Sequence, residues 1–294
     1  MGRAKRTLTI SVLLITVSVV LAQWPAAPGA VAEQNEFGQV DYSQRTVTAT
    51  GIGAVPTNAP NVGAARANAI RAAKLDALRN LVEAVKSIRI SSETTVSNNM
   101  VTSDIVRTEV EAMVRGARQV GETKYLSDSS VEVTMTVPMT GIMDAVLPSA
   151  ATAVPPGGAM PPGFETPTAT AAPSVSLTSP GQPITGLIID ARGLELKPSM
   201  SPRILAQDGS ILYGPGNYPR EFAVAQGVVG YHKDLDGAHK DARVAGNPVI
   251  VRGVGKSGTL GTDVIIAGND AQRVSALDGF DEAIGSCRVM FILD

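Results

Sequence analysis

The sequence has one cysteine, few aromatic residues and little net charge. The single cysteine, Cys287, excludes an internal disulfide, and we expect it to be a buried small residue of a C-terminal strand. Aromatic residues make up only 4% of the chain, which argues against a base-stacking surface for nucleic acid. The net charge of −2 argues against binding to a polyanion. The sequence therefore predicts no nucleic-acid partner.

A glycine-rich segment, Gly253 to Gly258, contains both G-K-S and G-x-G-x-x-G. A P-loop also needs a glycine five residues before Gly255, and that position is Ile250. A dinucleotide-binding fingerprint must open a helix, whereas this segment leads into a predicted strand. We therefore predict a flexible glycine-rich hairpin loop with no bound phosphate.

The only two histidines, His232 and His239, lie in a segment that also contains Asp234, Asp236 and Asp241. On a helix, a spacing of seven residues would place the two rings two turns apart, too far to share one metal ion. We predict a solvated polar segment. No G-x-S-x-G nucleophile elbow occurs either. The sequence thus predicts no catalytic residue, no cofactor-binding residue, no metal ligand and no enzymatic activity.

The N-terminus resembles an export signal. Arg3, Lys5 and Arg6 precede an apolar run from Leu8 to Ala22, which is shorter than a membrane span and typical of a signal peptide. Residues 1–22 are the predicted signal peptide, with cleavage after Ala22 or, as the alternative, after Ala32. Cleavage at Ala22 leaves 22 basic against 27 acidic residues, since three of the 25 basic residues precede it. Gln23 stands where a lipoprotein carries its lipidated cysteine, so we predict no lipid anchor.

One long helix is the clearest structural prediction. Residues 61–86 consist mainly of good helix formers, with Asn58 or Asn61 as candidate N-caps. On a helical wheel one apolar face forms, which we expect to pack on a sheet or on another subunit. The members of this predicted face are Ala67, Ile70, Ala73, Ala77, Leu78, Leu81 and Val85, with Leu75 and Val82 at its flanks.

Two basic residues interrupt that predicted face, Lys74 near its middle and Arg71 near its edge. In one interpretation their aliphatic stems cover apolar surface and their charges reach water. In the other they pair with a carboxylate of a neighbouring strand or subunit, and the candidates are Glu109, Glu111 and Glu132.

The pattern on either side of the helix indicates an α+β domain, a long helix packed on a small antiparallel sheet. Val131 to Val137 alternates strictly, so Val131, Val133, Met135 and Val137 should face the helix. The other predicted elements are a strand at 46–53, an extended segment at 87–96, a short helix at 103–114 and a strand at 117–125. The valines of 103–114 also fit a strand face, although we favour the helix. Residues 23–44 are predicted to be a tail and 45–147 the domain.

A proline-rich linker and a second α+β domain follow. Residues 148–183 hold nine of the 19 prolines and are predicted to be an extended linker. In residues 184–294, the apolar run of 184–191 predicts a strand buried on both faces. An Asp-Gly pair at 208–209 predicts a hairpin between strands at 203–206 and 211–213. Further strands are predicted at 248–252, 263–267 and 287–293, with a short helix at 270–277.

The first domain resembles a known family. The residues that carry the resemblance are Ala49-Thr50-Gly51-Ile52-Gly53, Ala65-Arg66-Ala67, Leu75-Asp76-Ala77, Val114-Arg115-Gly116-Ala117 and Val131-Glu132-Val133-Thr134-Met135. They are similar to the LPP-twenty outer-membrane lipoprotein family, and to flagellar outer-membrane protein P and the N-terminal domain of flagellar assembly protein T. The absent lipidated cysteine is a departure from that family.

The resemblance implies a cell-envelope protein that assembles into rings or discs near the outer membrane, with no enzymatic residues. We therefore expect a periplasmic or outer-membrane-associated structural protein. Its expected partners are copies of itself and other envelope or flagellar proteins. The alternative is a periplasmic module whose C-terminal domain, 184–294, binds a small ligand or glycan, which a deep pocket there would favour.

Overall fold

The computed structural model describes residues 28–147, 175–177 and 179–294. The predicted signal peptide, and residues 148–174 and 178 of the predicted linker, lie outside the described residues. The predicted α+β class is confirmed, because helices pack on an antiparallel sheet in the first half and on a mixed sheet in the second. No helix in the described ranges is both long and apolar enough to cross a membrane.

The first domain contains one antiparallel sheet and four helices. Its elements are β1 (Ala32–Gln34), β2 (Gln39–Asp41), β3 (Thr46–Gly53), α1 (Val62–Lys86), α2 (Val96–Thr102), α3 (Asp104–Arg115), β4 (Arg118–Gln119), β5 (Lys124–Tyr125), β6 (Val131–Pro138) and α4 (Thr140–Val146). The strand order is β1-β2-β3-β6-β4, and β5 also pairs with β6. The core of this domain lies where α1 packs on β3 and β6.

Helix α1 confirms the predicted long helix, but its buried face is rotated from the predicted one. Asn61 is the N-cap, and its side chain accepts a hydrogen bond from the Ala64 amide at 2.8 Å. The buried face is a stripe of mostly small residues: Ala65, Ala69, Ala73, Ala77, Leu81, Ala84 and Val85. Ala67 is exposed, contrary to the prediction, and Ile70 and Leu78 are only partly buried.

Two glycines of β3 explain that rotation. A Cβ added to Gly51 would lie 2.1 Å from the Ala77 nitrogen, and one added to Gly53 would lie 2.0 Å from the Ala69 oxygen. The backbone of the helix therefore lies directly against the backbone of the strand, which only alanine-sized side chains allow. A wheel weighted by hydrophobicity favours leucine and isoleucine instead, and so it places the centre of the face too far toward Ile70 and Leu78. Four predicted members are nevertheless buried: Ala73, Ala77, Leu81 and Val85.

Other elements of the first domain agree with the sequence to different extents. Val131, Val133, Met135 and Val137 are buried as predicted. Helix α3 is confirmed, and Ser103 caps it. In contrast, the extended segment predicted at 87–96 contains only an isolated bridge between Arg89 and Thr95.

Two further predictions need correction. The strand predicted at 117–125 is divided into the two-residue strands β4 and β5. The predicted tail, 23–44, contains β1 and β2, which belong to the sheet. Their turn is closed by Asn35, whose side chain accepts from the amides of Phe37 and Gly38 at 3.0 and 2.8 Å. Three-residue strands are too short for a periodicity test, but this asparagine turn is a signal that the prediction missed.

The second domain is a mixed eight-stranded sheet with several short helices packed around it. Its elements are β7 (Ser176–Leu177), β8 (Gly186–Asp190), β9 (Ile204–Ala206), β10 (Ile211–Tyr213), α5 (Arg220–Gln226), β11 (Gly230–His232), α6 (Leu235–Lys240), β12 (Pro248–Ser257), β13 (Asp263–Ile266), α7 (Gly268–Ser275), α8 (Phe280–Gly285) and β14 (Val289–Ile292). The order is β10-β9-β13-β12-β8-β14-β11, and β7 pairs with β12.

The centre of this sheet confirms the prediction of a fully buried strand. Leu187, Ile188 and Ile189 of β8 have no exposed surface, and β8 pairs in parallel with β12 and β14. The hairpin of β9 and β10 is confirmed as well. Strand β7 lies within the range predicted as linker, and α5, α6, α8 and β11 are elements that the sequence prediction omitted.

Candidate functional site

The two segments that resemble ligand sites in the sequence lie on a strand and around a short helix. Residues 253–257 continue strand β12, so the predicted hairpin is correct but its loop is confined to 258–262. His232 ends β11, and its Nδ1 accepts a hydrogen bond from the Asp234 amide at 3.1 Å. His239 lies in α6. Among the residues that the structure describes, no group of three or more His, Cys, Asp or Glu side chains is placed to hold a metal ion.

Cys287 is buried, as expected, although it precedes β14 in a turn with a φ of +51°. Burial raises the pKa of its thiol, so the protonated form is favoured and a reactive thiolate is not.

A set of specific polar contacts joins the two domains. Helix α5 of the second domain is held by the first domain at both ends. At its N-terminus, the Arg220 guanidinium pairs with the carboxylate of Asp144, a residue of α4, at 2.9 Å. At its C-terminus, Arg45 donates to the Ala225 carbonyl at 2.9 Å. Cations near the last carbonyls of a helix are favourable.

A second contact joins the start of β9 to the loop between α1 and α2. Arg203 Nε donates to the Asp263 carboxylate at 2.7 Å, and Arg203 Nη2 donates to Ser92 Oγ of the first domain at 2.6 Å. Asp263 and Ser92 have no exposed surface. Burial raises the pKa of Asp263, an effect that the Arg203 charge opposes. Removing one member of such a buried group leaves the others without compensation.

The glycine-rich turn at 258–262 packs against Ser92 at this contact. Gly258 has a φ of +83°, and a Cβ there would lie 2.1 Å from Ser92 Cβ. The neighbouring Leu260 amide donates to the Ser92 carbonyl at 2.9 Å, and Thr259 Oγ1 donates to Glu93 Oε2 at 2.9 Å. The glycine therefore permits close approach of the two domains, which is a structural use of a motif that resembles a phosphate loop.

The N-terminal residues form a third contact, along the outer edge of β11. The Lys233 amide donates to the Gly29 carbonyl at 2.9 Å. Ser43 Oγ donates to the Tyr231 carbonyl at 2.7 Å and accepts from the Val31 amide at 2.9 Å. Residues of the first domain thus cover the polar edge that β11 would otherwise leave open.

A narrow cleft lies between α4, α5 and β11. Counting its open mouth it encloses about 350 Å³, at the lower end of the range for small-molecule sites. The rings of Tyr42 and Tyr231 meet edge-to-face in its wall with centroids 5.9 Å apart. Burial raises the pKa of both hydroxyls, so neither is suited to act as a base at neutral pH. The walls come from both domains: Tyr42, Arg45, Met139, Thr140, Met143, Ser199, Met200, Val224, Gly227, Val229 and Tyr231.

Comparison with known families divides the chain at this interface. Residues 44–137 match the LPP20 lipoprotein family. This is the LPP-twenty family of the sequence resemblance, which is thereby confirmed. Residues 186–294 match the family described as the second domain of Treponema pallidum Tp0624. No curated protein matches the chain. The similarity to flagellar proteins stays a prediction.

The two matched regions supply opposite sides of the same interface. The LPP20 region runs from just before β3 to near the end of β6 and contributes Arg45 and Ser92. The Tp0624-like region runs from β8 to β14 and contributes Arg203 and Asp263. Gly29 and Asp144, which also contact the second domain, lie outside the LPP20 region.

The surroundings of Lys74 and Arg71 test the two interpretations of these residues, solvation or an ion pair, within a single chain. Arg71 is exposed and Lys74 is half-buried, beside the alanine stripe rather than within it. Glu132 pairs with Lys124 at 2.7 Å and is not available to them. Glu109 and Glu111 are exposed on α3. In the described residues neither glutamate forms an ion pair, so a partner subunit is the remaining form of the ion-pair interpretation.

Proposed function

We propose that the chain is an exported, non-enzymatic structural protein of the cell envelope. The LPP20 lipoprotein match supports the envelope location, and the apolar N-terminal run with its basic flank supports export. Many polar contacts of the described residues serve helix ends, strand edges and the interface between the domains. This distribution is typical of a building block rather than of a catalyst.

The observation that carries the proposal is the interface itself. Several groups of contacts join the domains, among them those at α5, at Ser92 and along β11. Such an interface holds the two domains in one orientation and presents a defined surface to other molecules, as assembly requires. The ligand-binding alternative for residues 184–294 receives less support, because the cleft takes its walls from both domains.

Assembly is tested by the mass of the mature protein in solution. We expect multi-angle light scattering over a wide concentration range to detect oligomers of residues 23–294, or pull-downs with this protein to retain other envelope proteins. A protein that is monomeric at every concentration and retains no envelope partner would contradict the proposal.

A finer proposal rests on the resemblance to flagellar outer-membrane proteins, namely that the chain belongs to a ring or disc of the flagellum. A deletion strain tests it. Loss of motility with intact envelope barrier function supports a flagellar role, whereas normal motility with an envelope defect supports a structural role elsewhere.

A further inference from the structure

The cleft between α4, α5 and β11 has a largely apolar wall. Methionine and valine side chains supply much of it, and three of them, Met139, Met143 and Met200, are buried there. Methionine is unbranched and polarisable, so such a wall adapts its shape to an apolar ligand. Among the described residues, no Asp, Glu, His or Cys side chain lines the cleft. The wall therefore suits an alkyl group and does not suit a metal ion.

One hydroxyl in this wall is left without a partner. Ser199 is 1% exposed, and within the described part of the chain its Oγ has no hydrogen-bond partner. The neighbouring Tyr231 hydroxyl is engaged with the backbone of Ser199, because it donates to the carbonyl at 2.8 Å and accepts from the amide at 3.0 Å. An unpartnered buried hydroxyl is costly. A bound molecule that accepts one hydrogen bond from Ser199 Oγ would remove that cost.

The cleft also contains one cation. Arg45 is half-buried in its wall and donates to the Ala225 carbonyl at 2.9 Å. Over the ranges that the structure describes, it forms no ion pair with a carboxylate. Burial lowers the pKa of its guanidinium, since burial disfavours the charged form. A bound anion would offset that effect.

The backbone of Arg45 is unusual as well. Its φ is +54°, in the left-handed region that residues other than glycine seldom adopt. The hydrogen bond from the Met139 amide to the Arg45 carbonyl, at 2.8 Å, holds this conformation at the base of α4. A strained backbone that carries a cation into a cleft is typical of a binding position.

We propose that the cleft binds a small alkyl carboxylate. The guanidinium of Arg45 holds one carboxylate oxygen, Ser199 Oγ donates to the other, and the alkyl chain lies along the methionines. Both polar groups line a cleft that encloses only about 350 Å³ with its mouth, so one carboxylate can reach both. A sugar would need more hydrogen-bonding groups than this mostly apolar wall provides.

A ligand in this position goes beyond the proposed structural role, because it would contact both domains at once. Arg45, Met139 and Met143 come from the first domain, whereas Ser199 and Met200 come from the second. Neither domain holds the site alone, which distinguishes it from a ligand site within 184–294. Binding would stabilise the docked arrangement of the two domains in proportion to the ligand concentration.

Calorimetric titration of the mature chain, residues 23–294, with straight-chain carboxylates from acetate to decanoate tests the proposal. Each added methylene should tighten binding about fourfold until the chain fills the cleft. Octylammonium should not bind, because Arg45 repels it. Arg45→Gln should weaken octanoate binding about tenfold or more, since it removes a charged hydrogen-bond donor. The control is Arg79→Gln, an exposed arginine of α1, which should bind octanoate like the unaltered protein.

Two further variants separate binding from folding. Ser199→Ala removes a hydroxyl that has no partner in the described part of the chain, so it should keep the stability of the unaltered protein and weaken octanoate binding about fivefold. Val224→Phe enlarges a half-buried residue of the wall and should shorten the longest carboxylate that still gains affinity. A misfolded protein loses binding at every chain length and does not shift this limit.

The outcomes decide between the possible occupants. Absence of binding at every chain length, or equal binding of octylammonium and octanoate, overturns the proposal. Octanoate binding that neither Arg45→Gln nor Val224→Phe changes lies elsewhere and overturns it too. If a short peptide ending in leucine binds more tightly than octanoate, the cleft receives a partner's C-terminus and the small-molecule assignment is wrong. Light scattering of the same samples measures assembly separately, so either proposal can fail while the other stands.

Discussion

Among single residues, two glycines decide how closely the first domain packs. Gly51 and Gly53 let the backbone of α1 approach β3 until no side chain fits between them. The effect is mainly steric, because alanine side chains of the helix contact the bare strand and larger groups would displace it. Both glycines lie within the residues 44–137 that match the LPP20 family, and this close approach gives them a physical reason.

Gly51→Val should therefore destabilise the protein by about 1–3 kcal/mol or more, since the new side chain overlaps the Ala77 nitrogen. The matched control is Gly141→Ala in α4, where a Cβ meets nothing within 4 Å and alanine favours the helix. Urea denaturation measures both. Equal stabilities for the two variants would show that α1 and β3 are not in backbone contact.

The buried carboxylate at the interface gives a pH dependence. The pKa of Asp263 is raised above its usual 3.8 by burial, so the unfolded chain releases this proton at lower pH than the folded one. Asp263 therefore contributes most to the free energy of unfolding below pH 3.8, and this contribution declines as the pH rises through the pKa of the folded state. The unfolding free energy of the unaltered protein minus that of Asp263→Asn should therefore fall as the pH is raised above 3.8. A difference that grows with pH would refute this assignment.

Among the elements, α1 both packs on the sheet and protects its edge. Strand β2 covers only the first part of β3. Beyond it, Asn80 donates to the Thr50 carbonyl at 2.8 Å, and Asp76 accepts from the Ile52 amide. These two side chains substitute for a neighbouring strand, which blocks uncontrolled pairing at the edge.

Asp76→Ala with Asn80→Ala should lower the free energy of unfolding by about 1 kcal/mol per lost hydrogen bond, and should promote aggregation at high concentration. Asn68→Ala, on the exposed part of the same helix, is the control. Static light scattering of folded samples checks the second effect; a double variant as soluble as the control would mean that the edge needs no such protection.

The N-terminal strand bears on processing. Val31 is 5% exposed, and the Gly29 carbonyl accepts a hydrogen bond from the second domain. A chain cut after Ala32 therefore loses the buried Val31 side chain and this hydrogen bond. We expect N-terminal sequencing of the exported protein to give Gln23. A chain starting at Glu33 should lose about 3 kcal/mol from lost burial and hydrogen bonds, compared with one starting at Pro28. An exported protein that begins at Glu33 and is equally stable would rule this out.

How far the sequence predicts these elements depends on their length and pattern. The long helix, the alternation of Val131 to Val137 and the Asp-Gly hairpin at 208–209 carry strong local signals, and the structure confirms them. β1, β2 and β7 are too short to show a period. The rotation of α1 depends on the glycines of another element, which a wheel cannot include.

In the molecule as a whole, the proline-rich stretch predicts two domains on a long spacer, but the two domains contact each other through several elements. The contact between Ser92 and Arg203 joins residues 111 positions apart. Its members are an ordinary serine and an ordinary arginine, so no local pattern marks them as partners. Pairings of this kind escape sequence reasoning because they depend on how the domains dock.

The proposed role as a building block requires that the two domains form one unit, and calorimetry of the mature chain measures this coupling. Because the interface includes buried polar groups from both sides, the domains should unfold together in a single transition. Ser92→Ala with Arg45→Ala should loosen that coupling and separate the transition into two. Two independent transitions in the unaltered protein, each unaffected by these substitutions, would show that the domains are not one unit.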